Sequence, residues 1–501
     1  MIFRDWLKEL DYTLLQGSVD VETEDVIYDS RKAAPGKVFV AMKGIRVDGH
    51  SFIPQVLKAG VRVLVTERPV EEELKNSGLS EDELKQVTVV MVEEVRHALA
   101  LLSAARFDHP AKKLVMIGVT GTKGKTTTTH MIRAILLAAG KKVGMIGTTG
   151  TVIGYVVTPT LNTTPESYEL HQAFAQMVEA GCEYAVMEVS SQGIKMHRTD
   201  GLYFNYAIFT NISPDHIGPG EHADFEEYLY YKTRLLNMCG IGLVNKDDEH
   251  APQIIKAANC ELYTYSEESK EADFVASDIR YVSQPDFVGT EFHISGKYDM
   301  EVRLGIPGLF NVVNALAAVS VCSFLGLDQA RISHALENIR VNGRMEIVYT
   351  SERCTVLVDY AHNAVSMESL LSTLRDYKPK RLVCVFGCGG NRSKDRRYSM
   401  GEIGGKMADL SIITADNSRY EKVEDIIADI RGSIEKTGGK FIEIPDRREA
   451  IRYSILHAQP GDMVAVIGKG HEDYQEINGV RHHFLDREVI EETVKELGEK
   501  A

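Results

Sequence analysis

Residues 114–127 read LVMIGVTGTKGKTT. Leu114 to Val119 is a nearly unbroken apolar run, the pattern of a strand buried on both faces of a parallel sheet. His130 to Ala139 then reads as a helix. A glycine-rich turn between the two leaves backbone N–H groups free to cradle phosphates, and the dipole of the following helix adds positive potential at the same place. Gly121-Thr122-Lys123-Gly124-Lys125-Thr126-Thr127 therefore reads as a loop for ATP or GTP, with Lys125 on the β- and γ-phosphates and the Thr126 hydroxyl on Mg²⁺. It departs from the general P-loop pattern: Val119 stands where a glycine is expected, and Gly118 lies one residue further back.

Outward from this loop the chain alternates strands and helices. Residues 1–107 hold short apolar runs at 37–42, 61–67 and 87–92 and predict a small α/β domain. Phe107-Asp108-His109-Pro110 reads as a linker, since proline ends the preceding helix. Residues 108–342 hold the loop and further strands at 142–148, 184–190, 206–213 and 241–245, a parallel, doubly wound pattern; Asn311 to Leu325 predicts a strong helix. Residues 343–501 repeat the alternation at 355–361, 381–387, 410–416 and 463–470, with a helix over Val423 to Lys436. This is a second Rossmann-like domain without GxGxxG, so no dinucleotide is indicated. The fold class is α/β in three domains, and 501 residues suit that count.

The net charge of −15 and pI near 5.6 argue against a general nucleic-acid binder, while leaving room for a local basic pocket around an anionic substrate. No run approaches the roughly 18 apolar residues of a membrane span. Met1 to Asp11 lacks the basic start and apolar stretch of a signal peptide. Seven scattered cysteines fit a reducing cytoplasm; Cys384 and Cys388 read as core thiols rather than a metal pair.

Ligands of open α/β sheets bind beyond the carboxyl ends of strands, and polar clusters fall there. Glu188-Val189-Ser190-Ser191-Gln192 follows one strand, and a glutamate there is a natural Mg²⁺ ligand beside a P-loop. Pro214-Asp215-His216 follows the next. His216 reads as a ligand for a second metal or a substrate phosphate, or equally as a helix cap or an internally satisfied histidine. Lys232 looks like an ordinary helix lysine. In the last domain four strands end at Asp359-Tyr360-Ala361-His362, at Gly387 to Arg392, at Asp416-Asn417-Ser418-Arg419 and at Gly468 to Asp473. Such a rim suits a zwitterion, with carboxylates facing Arg392 and Arg419 and ammonium groups facing Asp416 and Glu472. The bland alternative is a solvated rim with internal salt bridges.

Taken in order, Asp29-Ser30-Arg31, GTKGKTT, Asn162-Thr163-Thr164-Pro165, MEVSS, the Asp-His segment with its downstream lysine, the helix from Asn311, Gly343-Arg344-Met345-Glu346, DYAH, GCGGNR, DNSR and GKGHEDYQ resemble the Mur ligases, and within them the muramyl-tripeptide synthetase (MurE) branch. The resemblance covers essentially the whole chain. It implies an ATP-dependent amide ligase of peptidoglycan precursor synthesis, acting as a cytoplasmic monomer on UDP-N-acetylmuramoyl-L-alanyl-D-glutamate, with two Mg²⁺ ions. By similarity, Ser30 and Arg31 hold the uridine nucleotide. Asn162, Thr163, Thr164, Ser190 and Arg198 hold the muramyl dipeptide. Gly121 to Thr127 hold the ATP phosphates, and Asn311, Arg344 and Asp359 border the adenosine. Thr126, Glu188 and His216 serve the metals. Lys232 matches the lysine that this family carboxylates to support the second metal, and with Lys125, Glu188 and His216 it makes up the catalytic set. Arg392, Asp416, Asn417, Arg419, Gly468 and Glu472 receive the amino acid.

The implied chemistry activates the glutamate γ-carboxylate as an acyl phosphate, which an amine attacks as phosphate leaves. The added amino acid is read as meso-diaminopimelate, with L-lysine as the alternative. Diaminopimelate enzymes carry DNPR, with the arginine facing a substrate carboxylate. Here Arg419 is kept, and Ser418 in place of proline is expected to loosen the turn that aims it. Gln192 stands where histidine is common, Asn363-Ala364 replaces Thr-Pro, and residues 217–222 lengthen the Asp215–Lys232 spacing. A folylpolyglutamate synthetase would lack the first domain. A nucleotide-switched binding protein would hydrolyse ATP regardless of any amino acid.

Overall fold

The computed structural model describes residues 1–44 and 47–498. The chain divides into two compact units, Met1–Tyr265 and Ser266–Ala501.

The first unit opens with a five-stranded sheet. Asp25–Ile27, Lys37–Val40, Val63–Thr66 and Thr88–Met91 run parallel, and Thr13–Gln16 closes the edge antiparallel to Thr88–Met91. Alternate residues of these runs go to opposite faces. Val38, Val40, Val65 and Val90 pack with Trp6, Ala98, Leu99 and Leu102, whereas Phe39, Leu64 and Val89 pack with Ile53, Val56 and Leu57. Burial on both faces is why the strands read as continuous apolar runs. The helix Val95–Arg106 ends at the expected linker, where Asp108 and His109 both take left-handed backbone before Pro110.

A second sheet in this unit carries the loop. Its parallel strands lie in the order Glu261–Ser266, Cys239–Asn245, Phe204–Phe209, Val115–Thr120, Tyr184–Glu188, Val143–Gly147. Gly150–Ile153 and Val156–Thr158 continue antiparallel at the edge. Register sets Glu188 beside Val119 and Phe209 beside Thr120, so two neighbouring strands end where the loop begins.

The helix after the loop spans Lys125–Ala138, starting well before the expected His130. Four consecutive threonines disguise its first turn, because β-branched residues are poor helix formers. Here Thr126 to Thr129 are buried, and Thr129 Oγ1 returns a bond to Thr126 O at 2.9 Å.

The second unit begins with an antiparallel meander, Phe274–Gln284, Phe287–Gly296 and Met300–Leu304, which the expected parallel pattern for residues 108–342 did not include. Helix Leu309–Phe324 follows, close to its expected bounds. The final sheet has the order Glu346–Thr350, Cys354–Asp359, Asp462–Ile467, Arg381–Phe386, Leu410–Ile413, Phe441–Glu443, parallel except for its first strand. Behind it sits a fully buried ion pair. The Arg447 guanidinium holds both oxygens of Asp486, at 2.7 and 2.6 Å, and donates to the carbonyls of Ala415 and Ile467. Asp486 opens the last helix, Asp486–Glu496. Cys384 and Cys388 are buried core thiols. Among the described residues no helix is long and apolar enough to cross a membrane.

Candidate active site

Gly121 takes φ +141°, and a Cβ there would lie 2.0 Å from Thr210 Oγ1, so the loop's first position admits only glycine. Gly124, at φ +88°, turns the chain into the helix. The strand end behind the loop fixes its path: Asn211 accepts from the N–H groups of Thr122 and Lys123 at 2.9 Å each, and Thr210 Oγ1 donates to Lys123 O at 2.6 Å. The Lys125 ammonium donates to Gly121 O at 2.7 Å and Thr122 O at 3.1 Å.

Glu188 is 1% exposed. It accepts from Thr126 Oγ1 at 3.0 Å and from the N–H and hydroxyl of Thr148 at 2.9 and 3.2 Å. These donors are neutral, so a buried negative charge is left to be balanced, and a hard, oxygen-seeking cation fits the carboxylate and hydroxyl offered. Gly147 makes room for it: a Cβ there would come within 2.2 Å of Glu188 Oε1.

Lys232, on helix Phe225–Thr233, is buried with its Nζ 2.8 Å from Gly121 O and 4.7 Å over the Tyr228 ring. Burial, aided by the nearby Lys125 charge and opposed by Asp215, drives its ammonium well below the usual lysine range. A lysine whose charged form is so disfavoured beside a phosphate loop suits a nucleophile better than a counter-charge. Tyr228 also meets Thr122, hydroxyl to hydroxyl at 3.0 Å.

His216 lies at the exposed edge of this cluster, its ring 6.2 Å from that of Tyr228. Its backbone is left-handed and its ring is exposed, with Nδ1 3.0 Å from Glu221. Among the described residues no hydrogen bond joins it to Glu188, Thr126 or Lys232. The histidine inside is His222, which had read only as part of a spacer. It is fully buried, with Nε2 2.9 Å from Ser191 Oγ and Nδ1 3.6 Å from Glu227, and burial lowers its basicity.

Four of the five residues expected on the muramyl dipeptide fall into one hydrogen-bonded group. Thr164 Oγ1 donates to Glu188 O and accepts from Ser190 N, Ser190 Oγ lies 3.1 Å away, and Thr163 meets Thr148 at 3.1 Å. Arg198 donates to Thr164 O at 3.1 Å and pairs with Glu166 at 2.8 Å. Asn162 is exposed. Ser30 opens a single 3-10 turn capped by Asp29, which also grips the exposed Arg31 at 2.7 Å. A cavity of about 190 Å³ lies alongside, with Asp29 and Lys32 in its wall.

In the second unit Asn311, Arg344 and Asp359 gather around Met345. Asn311 reaches its sulfur at 3.8 Å, and Asp359 accepts from its N–H at 2.8 Å. Burial pushes the Asp359 carboxyl up. The Arg344 guanidinium lies 5.1 Å over the Tyr360 ring.

On the rim, Asn417 organises the neighbours. Its amide donates to Glu472 at 2.9 Å and accepts from Glu476 N at 2.9 Å and from Lys469 Nζ at 3.3 Å. Lys469 is fully buried, which the glycine-rich GKGHED stretch concealed. Asp416 is buried, with one carboxylate oxygen 2.9 Å from where a Cβ on Gly468 would stand. Arg419 has left-handed backbone, and its Nη1 donates to Gly390 O at 2.6 Å. Its N–H donates to Glu476 O, and its carbonyl accepts from Asn478. These bonds to the hairpin Tyr474–Ile477/Val480–His483 hold the turn on both sides of Arg419, where Ser418 stands in place of proline. Arg392 is exposed.

Three family profiles match along the chain: "Mur ligase family, catalytic domain" over residues 23–107, "Mur ligase middle domain" over 119–322, and "Mur ligase, glutamate ligase domain" over 343–470. The chain belongs to the Mur ligase family. Among Mur ligases it is 38% identical over 498 residues to the UDP-N-acetylmuramoyl-L-alanyl-D-glutamate--2,6-diaminopimelate ligase of Caldanaerobacter subterraneus subsp. tengcongensis, covering 98% of each chain. It is likewise 38% identical to the ligase of that name from Clostridium perfringens, covering 98% of this chain and 99% of the relative. A solved structure of a ligase of the same name superposes with a TM-score of 0.72 at 30% identity, covering 95% of this chain and 96% of the other. The folylpolyglutamate synthase of Thermotoga maritima shares the fold at 18% identity with a TM-score of 0.58, and covers only 74% of this chain.

Proposed function

We propose that this Mur ligase joins meso-2,6-diaminopimelate to UDP-N-acetylmuramoyl-L-alanyl-D-glutamate at the expense of ATP, releasing ADP and phosphate. The supporting observation for the amino acid is Arg419, held in a left-handed turn by backbone bonds on both sides, on the same rim as Asp416 and Glu472. A guanidinium so fixed suits the distal carboxylate of diaminopimelate, which L-lysine lacks. The acids suit its ammonium groups.

The chain then acts as a cytoplasmic monomer of three parts, divided at 107/108 and 342/343. Gly121 to Thr127 receive the ATP phosphates, with Lys125 turning from the loop carbonyls to the transferring phosphoryl group. Asn311, Arg344 and Asp359 border the adenosine. Thr126 and Glu188 would hold Mg²⁺, with His216 and carboxylated Lys232 serving a second ion, and the bound ions would supply positive charge to the transferring phosphoryl group. Lys232 becomes an acid by addition of CO₂: once deprotonated, its Nζ forms an N–C bond, and the proton it gives up leaves to solvent. Ser30 and Arg31 hold the uridine nucleotide. Asn162, Thr163, Thr164, Ser190 and Arg198 orient the dipeptide so that its γ-carboxylate attacks phosphorus. The resulting acyl phosphate meets the amine presented by Arg392, Asp416, Asn417, Arg419, Gly468 and Glu472, and catalysis is chiefly positioning plus electrostatics.

The test is phosphate release with the UDP-muramyl dipeptide, ATP and Mg²⁺, with diaminopimelate or L-lysine added separately. Turnover with diaminopimelate alone, lost in Arg419→Ala, is expected. Turnover with lysine alone overturns the amino-acid assignment. Release indifferent to both overturns the ligase.

A further inference from the structure

Away from the loop, His97, His197 and Asp200 bring three ligand atoms within 4.8 Å of one another. His97 lies in the first turn of helix Val95–Arg106, and His197 and Asp200 follow helix Ser191–Lys195. One oxygen of Asp200 stands 2.6 Å from Nδ1 of His97 and 2.8 Å from Nδ1 of His197, and the two rings meet edge to face at 79°. His197 reaches this position only through left-handed backbone, φ +56°. Such a conformation is unfavourable for a non-glycine residue and collects at ligand clamps.

Two imidazoles and a carboxylate are the donor set of Zn²⁺ and its first-row neighbours, and unlike the oxygens at Glu188 and Thr126 they do not suit Mg²⁺. Zinc bonds of about 2.0–2.1 Å put tetrahedral ligands about 3.3 Å apart, so an ion is admitted when the two Asp200 contacts open by about 0.5–0.7 Å and the two histidine nitrogens, now within 4.8 Å of one another, settle at the same spacing. The side chains are 44%, 36% and 20% exposed, which leaves a coordination position for water.

We propose that His97, His197 and Asp200 form a binding site for a divalent transition ion of the Zn²⁺ class, separate from the nucleotide loop. The site ties together the same two segments as a neighbouring clasp, in which Glu166 is shared by Arg96 at 3.5 Å and Arg198 at 2.8 Å. Metal at the first clasp steadies the turn that presents the second.

Full-length protein stripped with a chelator is titrated with Zn²⁺ under excess Mg²⁺, and separately with Co²⁺ while its visible ligand-field band is followed. Wild type is expected to take up a stoichiometric Zn²⁺ and to show the Co²⁺ band. His97→Ala and Asp200→Asn, checked for folding by circular dichroism, lose both, whereas Glu188→Gln keeps both. Failure of wild type to bind Zn²⁺, or equal binding by the folded His97 and Asp200 variants, overturns the site and leaves Asp200 as a plain acceptor of two hydrogen bonds.

Discussion

The amine of Lys232 lies 2.8 Å from the carbonyl oxygen of Gly121, the first residue of the phosphate loop. A buried lysine with its basicity lowered is primed to take up CO₂. Lys232→Ala should fold and lose about 10²–10³ in kcat, the scale of removing one preorganised electrostatic group. A short carboxylic acid supplied in the assay should restore part of the rate. Intact mass under added bicarbonate should show the extra CO₂ on wild type only. Full activity of Lys232→Ala would remove this residue from the mechanism.

Gly147 is the empty space that Glu188 occupies. Gly147→Ala should push the carboxylate away from Thr126 and weaken Mg²⁺ by about 10–100-fold, the usual range when support around a ligand is disturbed. The Mg²⁺ dependence of turnover reads this out, with Glu188→Gln as the reference. An unchanged Mg²⁺ requirement would show that the carboxylate is not a ligand.

Arg419→Lys keeps the charge and loses the planar fork. KM for diaminopimelate should rise about tenfold or more, and Arg419→Ala should cost about 2–5 kcal/mol in kcat/KM, as for a truncated charge pair. The dependence on the UDP-muramyl dipeptide should not move.

His171 is buried, neither ring nitrogen has a hydrogen-bond partner, and burial holds its pKa down to about 3. Below the unfolded value of 6.5 the unfolded chain binds the proton first. The stability that neutral His171 provides is therefore complete above pH 6.5 and is lost as pH falls toward 3, by up to about 1.4 kcal/mol per pH unit. His171→Leu should flatten the acid limb of a denaturation series; an unchanged slope would assign it to other groups.

Much of the candidate site was legible because glycines, carboxylates and arginines gather at strand ends, where α/β sheets bind ligands. Glu188 and Asn417 are of that kind. Lys232 was legible only through family resemblance: YLYYK is an ordinary helical string, and its burial appears only when the helix packs against the loop. His222 was hidden inside a glycine-rich spacer that places His216 outside and His222 inside. The meander from Phe274 escaped because its strands follow different patterns: Phe274–Gln284 is buried at one end and exposed along much of the rest, whereas Phe287–Gly296 is buried over its first four residues and alternates only after them.

Arg447 braces the carbonyls of Ala415 and Ile467, the residues just before Asp416 and Gly468, but only while its charge is met by Asp486 near the end of the chain. Left alone in the interior, that guanidinium would cost about 3–5 kcal/mol. Domains form from the N-terminus as they are synthesised. The phosphate loop can therefore be complete while the ribosome is still at work on the helix Asp486–Glu496, whereas the rim around Asp416 and Gly468 is braced only after that helix emerges.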